Sequence, residues 1–220
     1  MPGKKKAVRR KIHLTHKGTA SASQPALTLA EKKCILLDSL KTAYKKQYDA
    51  LQPIPYIKDR LYCVDKVFVE GGIEHVLETQ SENSQKERLS SYKNIFTDSS
   101  SRSYTRRIVK GEAGYGKSTL TLQLAYDWCN GVQDSPVSAA DVLILLKLRQ
   151  LGNVRSIYKA IKVIYCQVST ANSKDIKDIL QRCTTVKIVL DGFDEYPNRE
   201  KSNRSDILRI IKSNCSKHLM

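Results

Sequence analysis

From Tyr104 onward, short apolar runs alternate with longer stretches in which apolar residues recur at helical spacing. The apolar runs predict strands at Ile108-Val109, Val142–Leu148 and Val186–Leu190. The helical patterns cover Lys117–Asn130, Val154–Val168, Lys174–Cys183 and Asp206–Lys212. Strands that alternate with helices in this way are typical of a parallel sheet flanked by helices. We therefore predict an α/β fold for residues 104–220.

The residues before 104 follow a different pattern. Residues 28–51 predict a helix, because Thr28 and Glu31 have the spacing of a capping box and apolar residues then recur on one side. The run Lys66–Glu70 predicts a short strand that ends at a Gly71-Gly72 turn. Residues 81–103 are rich in serine and charge, which favours an exposed connector. Residues 28–103 are therefore predicted to be a mainly helical segment with a linker.

The net charge of +16 on 220 residues raises the question of a nucleic-acid partner. Residues 1–27 are basic and contain no Asp or Glu. This leader could bind phosphate backbones or a nuclear import receptor, but such a composition more often gives a solvated, disordered tail. We predict a disordered basic leader over 1–27 and treat nucleic-acid binding through it as an alternative function.

The remaining composition excludes several classes of protein. The six cysteines are far apart and form no Cys-x-x-Cys pair, which argues against a zinc ribbon and favours reduced thiols in the cytoplasm. The longest aliphatic run, Val142–Leu146, is far shorter than the ~20 residues that span a bilayer. We predict a cytoplasmic protein without a membrane segment, while the basic leader leaves a nuclear location open.

A glycine-rich segment before the first long helix carries the clearest chemistry. Residues 111–118 read GEAGYGKS and match the pattern G-x-x-x-x-G-K-[ST] at every fixed position. In this pattern, glycines let successive backbone N–H groups wrap a phosphate chain, and the helix that follows points its positive end at the same anion. Lys117 would reach the β- and γ-phosphates, and the Ser118 hydroxyl would bind Mg²⁺. We predict a nucleotide site, most readily for ATP with Mg²⁺.

A second motif follows the last predicted strand. The run Val186–Leu190 ends in Asp191-Gly192-Phe193-Asp194-Glu195. A carboxylate at the carboxyl end of a parallel strand faces the crevice where ligands bind, so Asp191 is placed to hold Mg²⁺. Asp194 or Glu195 would orient or deprotonate an attacking water as the catalytic group. The guanine-reading pattern N-K-x-D is absent from the sequence, which disfavours GTP.

These motifs resemble those of the NACHT family of signalling ATPases. The two segments that carry the resemblance are GEAGYGKST at residues 111–119 and VKIVLDGFDE at 186–195. The segment LLKLRQL at 145–151 is similar to a family strand that ends near an arginine, here Arg149. Upstream, LYCVDKVFVEGGIE at 61–74 is similar to the lead-in of invertebrate relatives of NOD-like receptors.

The resemblance implies an ATP-driven switch. Its ADP-bound form would be closed, and its ATP-bound form would self-associate and signal, often in innate immunity or cell death. It also implies a residue list for the nucleotide, in which Arg149 is a phosphate contact: Gly111, Glu112, Ala113, Gly114, Tyr115, Gly116, Lys117, Ser118, Thr119 and Arg149. Ser118 and Asp191 would bind the metal, and Asp194 and Glu195 would activate water. An ordinary P-loop ATPase or kinase remains an alternative.

The family pattern also predicts that this chain holds only the first part of the nucleotide-binding domain. In that pattern, a further strand lies between the phosphate-loop strand and the acidic strand and comes later in the sequence. No long apolar run follows Asp191 before Met220. We therefore expect an incomplete P-loop sheet and at most slow ATP hydrolysis, with no steady turnover by this chain taken alone.

Overall fold

A computed structural model of the chain describes residues 27–53, 56, 60–77, 85–96, 107–166, 171–196 and 205–212. The predicted basic leader lies outside these ranges except for its last residue, and so do residues 81–84 and 97–103 of the predicted connector. In the ranges just given, no helix combines the length and the apolar character that crossing a bilayer requires.

Six helices and four strands make up the regular structure of the described ranges. The helices are α1 (Leu29–Tyr48), α2 (Val64–Val67), α3 (Lys117–Asn130), α4 (Ile157–Tyr165), α5 (Ser173–Arg182) and α6 (Asp206–Lys212). The strands are β1 (Glu74–Leu77), β2 (Gln85–Arg88), β3 (Val142–Lys147) and β4 (Val186–Asp191). Helices α3 and α6 have the predicted bounds, while α4 and α5 differ from the predicted ranges at their ends.

The sheet that carries the predicted site is the parallel pair β3 and β4. Residues 142–147 pair in register with residues 186–191, so Lys147 lies beside Asp191 at the carboxyl ends. Residues 142–146 are buried, whereas every residue of β4 is only half-buried. Helices α3 and α4 pack against this pair. The predicted α/β class with a parallel sheet is thus confirmed.

Helix α1 packs on the same core. Its Thr28 side chain and Glu31 form the predicted capping box, and backbone and hydroxyl donors of Thr28 lower the pKa of Glu31. Leu36, Leu40 and Tyr44 on its buried side face the α/β part. Helix α1 contacts α3, α4 and α5, and Lys32 forms an ion pair with Asp175 of α5 at 2.9 Å.

Tyr44 forms hydrogen bonds with the backbone along one edge of β3. Its hydroxyl donates a hydrogen bond to the Leu143 carbonyl at 2.9 Å and accepts one from the Leu145 N–H at 2.8 Å. Tyr165 of α4 donates to the Leu145 carbonyl as well. A buried strand edge must pair its backbone groups with something. Here a tyrosine hydroxyl, which both donates and accepts, takes the place of a neighbouring strand.

Two predicted strands are wrong. Residues 107–110 have no regular secondary structure, and the Ile108 side chain is 64% exposed. Strand geometry depends on a pairing partner, and within the described ranges β4 pairs only with β3. Residues 64–67 form the short helix α2, in which the Phe68 N–H bonds to the Val64 carbonyl, instead of the predicted strand over Lys66–Glu70.

The predicted connector is partly structured. Residues 85–88 form β2, which pairs antiparallel with β1. Residues 92–94 form a turn of 3₁₀ helix in which Tyr92 is buried. The Tyr92 ring packs edge-on against Phe68 with centroids 5.2 Å apart. Serine-rich sequence suggested exposure, but one buried aromatic residue anchors this segment.

The Tyr92 hydroxyl forms a hydrogen bond with a buried carboxylate. Asp127 of α3 is fully buried and accepts hydrogen bonds from the Tyr92 hydroxyl at 2.9 Å, the Ser135 hydroxyl at 2.7 Å and the Gln123 amide at 2.9 Å. The three donors come from the segment before the phosphate loop, the loop after α3 and α3 itself. Asp127 therefore ties these segments together through neutral donors.

We expect Asp127→Ala to lower the free energy of unfolding by about 1–3 kcal/mol, because buried donors lose their acceptor. Hydroxyl groups can rotate toward other acceptors, which limits this cost. Asp127→Asn should cost less, since it keeps one oxygen for both hydroxyls. Its new amide can donate to Gln123 Oε1, which is buried without a partner in the described part of the chain, once the Gln123 amide turns over. Urea unfolding of both variants measures the difference, and equal destabilisation would contradict this account.

Candidate functional site

The predicted phosphate loop precedes α3 as an exposed turn. Gly114 and Gly116 have φ values of 85° and 77°, in the left-handed region that glycine adopts without strain. Gly116 is also the N-cap of α3, so the loop opens directly onto the helix N-terminus. At Gly111 a Cβ atom would meet only ordinary contacts, the nearest being 3.7 Å from Tyr115 Cβ. Backbone geometry therefore requires glycine at two of the three predicted positions.

Lys117 folds back over the loop. Its ammonium donates to the Gly111 carbonyl at 2.6 Å and to the Glu112 carbonyl at 2.7 Å. A lysine ammonium has three donors, so one remains for a ligand. The two carbonyl contacts hold the positive charge at the mouth of the loop, next to the N–H groups at the start of α3.

Ser118 and Asp191 meet although 73 positions separate them in the sequence. The Ser118 hydroxyl donates to Asp191 Oδ1 at 3.2 Å. Mg²⁺ prefers oxygen ligands in octahedral geometry at about 2.0–2.1 Å, which places neighbouring ligand oxygens about 2.9 Å apart. The two oxygens therefore fit adjacent positions around Mg²⁺, with water and phosphate oxygens as the other ligands.

Together these strand ends and α3 form one cleft. The described residues that line it are Ser118, Lys147, Arg149, Asp191, Gly192 and Glu195. Arg149 lies in a turn of 3₁₀ helix, residues 148–151, directly after β3. Its Nη1 is 3.8 Å from Glu195 Oε2, and both side chains are largely exposed. The cleft thus brings together four of the predicted site residues: Ser118, Arg149, Asp191 and Glu195.

The turn after β4 decides which acid enters the cleft. Gly192 has a φ of 76°, and the Glu195 N–H bonds to the Gly192 carbonyl at 3.2 Å. The Glu195 carboxylate then lies over Gly192, 3.4 Å from where a Cβ atom would stand. Asp194 is exposed and is not among the described cleft residues. Of the two predicted catalytic acids, Glu195 is the one that the fold places in the cleft.

Lys147 is a cleft residue that the sequence reasoning did not select. It ends β3 and is the register partner of Asp191 on β4. Burial lowers the pKa of the Lys147 ammonium, the Arg149 charge lowers it further, and the Asp191 carboxylate opposes both. The sequence did hold a signal for it, because a lysine that ends a wholly apolar strand is carried to the carboxyl edge of the sheet.

Comparison with protein-family models gives a match to the NACHT domain over residues 105–220, just over half of the chain. The matched segment contains the loop, the cleft and every predicted site residue. None of the curated proteins compared with the chain matches it.

Proposed function

The chain belongs to the NACHT family, whose domain is a nucleotide-binding module, and on this premise we propose that it binds ATP and ADP with Mg²⁺. One observation carries the proposal. The Ser118 hydroxyl and the Asp191 carboxylate lie 3.2 Å apart beside an exposed loop that ends at a helix N-terminus. The two metal ligands, the backbone N–H donors and the lysine that a metal–phosphate group requires therefore lie in one place.

Each predicted site residue has a role in this proposal. The backbone of residues 111–119 wraps the phosphate chain, and Lys117 supplies the positive charge through its remaining donor. Ser118 and Asp191 hold Mg²⁺, which would neutralise charge on the phosphates when bound. Arg149 is a phosphate contact from the lining of the cleft. Glu195 orients the attacking water, and the exposed Asp194 is the alternative for that role.

We further propose that this module belongs to a signalling switch of the NOD-like receptor type. An ADP form would stay closed, and an ATP form would self-associate in the cytoplasm and signal in innate immunity or cell death. The resemblance of the two motifs to the family supports this part of the proposal. Hydrolysis in such a switch is slow, because it serves to return the ATP-bound form to the ADP-bound form.

The division of roles between Asp191 and Glu195 gives a direct test. We expect Asp191→Asn to weaken ATP binding in the presence of Mg²⁺ and to change it little in EDTA, because the substitution removes a metal ligand. We expect Glu195→Gln to bind ATP as the wild type does and to release phosphate at least tenfold more slowly. Equilibrium binding with and without Mg²⁺ and single-turnover phosphate release measure the two effects.

Asp134→Asn serves as the matched control, since this carboxylate is 83% exposed and pairs with Lys93 at 3.9 Å away from the cleft. It should match the wild type in both measurements. Loss of binding alone in both cleft variants would refute the assigned roles. Equal binding by the wild type and Asp191→Asn at every Mg²⁺ concentration would refute the metal site.

A further inference from the structure

One cation of the cleft has a nearby carboxylate but forms no hydrogen bond or ion pair in the described part of the chain. The Arg149 guanidinium faces the Glu195 carboxylate, and the Asp191 carboxylate accepts from Ser118. The Lys147 ammonium lines the same cleft, is half-buried and has no hydrogen bond or ion pair within the described part of the chain. Taking an ammonium partly out of water costs free energy unless an anion compensates it. Asp191 compensates part of this cost, and an anion bound in the cleft within reach of Lys147 would compensate more of it.

The position of Lys147 indicates which part of a nucleotide would reach it. The phosphate loop lies at the N-terminus of α3 and holds the phosphate chain from that side. Lys147 comes instead from the end of β3, beside Asp191. A phosphate chain that extends from the loop to Ser118 and Asp191 would bring its terminal oxygens toward Lys147, which lines the same cleft. A diphosphate, which is one phosphate shorter, would not extend as far.

We propose that Lys147 is a second phosphate-binding lysine, which contacts the terminal phosphate of a nucleoside triphosphate and makes the site prefer triphosphate over diphosphate. The proposal rests on the proposed nucleotide function and adds a specificity residue to it. Lys117 binds both nucleotides from the loop, whereas Lys147 distinguishes them. In a switch, such a residue couples the presence of the third phosphate to the strand pair β3 and β4.

The test compares ATP with ADP in charge-deleting and charge-keeping variants. Lys147→Met keeps the length and the apolar stem and removes the charge. We expect it to lose ATP affinity roughly tenfold to a hundredfold, the effect of one charge-assisted contact, and to keep ADP affinity within about twofold. Lys147→Arg should retain most of the preference for ATP. Titration calorimetry with Mg²⁺ present measures the ATP and ADP affinities of the wild type and of each variant, and Lys110→Met controls for an exposed lysine outside the loop.

Inorganic tripolyphosphate and pyrophosphate repeat the comparison without a base, and the same selective loss for tripolyphosphate is expected. Equal affinities in the wild type and Lys147→Met, or equal losses for ATP and ADP, would overturn the assignment. If Lys147→Met unfolds at lower temperature, Lys147→Gln supplies the uncharged variant under the same criterion. A wild type that binds neither nucleotide refutes the proposed function, whereas a wild type that binds both while Lys147→Met is unchanged refutes only the role of Lys147.

Discussion

Replacing Lys117 with alanine is expected to weaken ATP binding by about 3 kcal/mol or more, a factor of at least roughly 10², because contacts to charged phosphate oxygens are each worth about 1.5–3 kcal/mol. The fold should tolerate the change. The Gly111 and Glu112 carbonyls that accept from Lys117 belong to exposed residues, so water replaces the lost donor. The loss of affinity would then report the binding contact itself.

Lys110→Ala is the matched control, since this lysine is exposed and precedes the loop. Calorimetry with ATP and Mg²⁺ and a thermal melt of each variant give affinity at known stability. Unchanged ATP affinity in a well-folded Lys117→Ala variant would remove the assignment of residues 111–118 as a phosphate loop.

Replacing Tyr44 with phenylalanine is expected to lower the free energy of unfolding by about 2–4 kcal/mol. The substitution keeps the ring and removes the hydroxyl that serves both the Leu143 carbonyl and the Leu145 N–H. Each buried backbone group left without a partner costs about 1–3 kcal/mol. Against a typical total of about 5–15 kcal/mol, this is a large fraction. The same burial raises the pKa of Tyr44 well above its usual value, so the hydroxyl stays protonated and can donate.

Tyr56→Phe is the control, because its ring is 93% exposed. This substitution removes the same hydroxyl oxygen at an exposed position, where water already forms its hydrogen bonds. Urea unfolding of both variants, with fluorescence and circular dichroism as independent probes, gives the two free energies. A cost below about 0.5 kcal/mol for Tyr44→Phe would mean that water or a rearranged neighbour satisfies the edge of β3.

Local sequence signals were sufficient for much of this structure. Helix α3 was predicted with its observed bounds, because a glycine-rich loop starts it and Gly131 ends it in a left-handed conformation. The position of Asp191 at the ligand-binding edge followed from a general property of parallel sheets, which gather the carboxyl ends of strands at one edge. Such predictions depend on information that lies within a few residues of each element.

The wrong and missed predictions share a different cause, because each depends on a partner that is distant in the sequence. Ile108-Val109 has strand-forming side chains but no described strand to pair with. β2 consists of four polar residues, QKER, and becomes a strand because β1 pairs with it. Lys147 was overlooked because its register with Asp191 of β4 is not visible locally, although its place at the end of an apolar strand already put it at the carboxyl edge of the sheet.

The contact between Tyr44 and β3 also has an evolutionary consequence. The hydroxyl forms hydrogen bonds with main-chain atoms, so the contact does not depend on which apolar side chains occupy positions 143 and 145. Leucine, isoleucine and valine can exchange there without disturbing it, whereas no other residue at position 44 both donates and accepts from the same distance. Among relatives that share α1, we therefore expect the tyrosine to be conserved while the apolar side chains of the strand vary. Methods that infer proximity from correlated substitutions would not detect this pair.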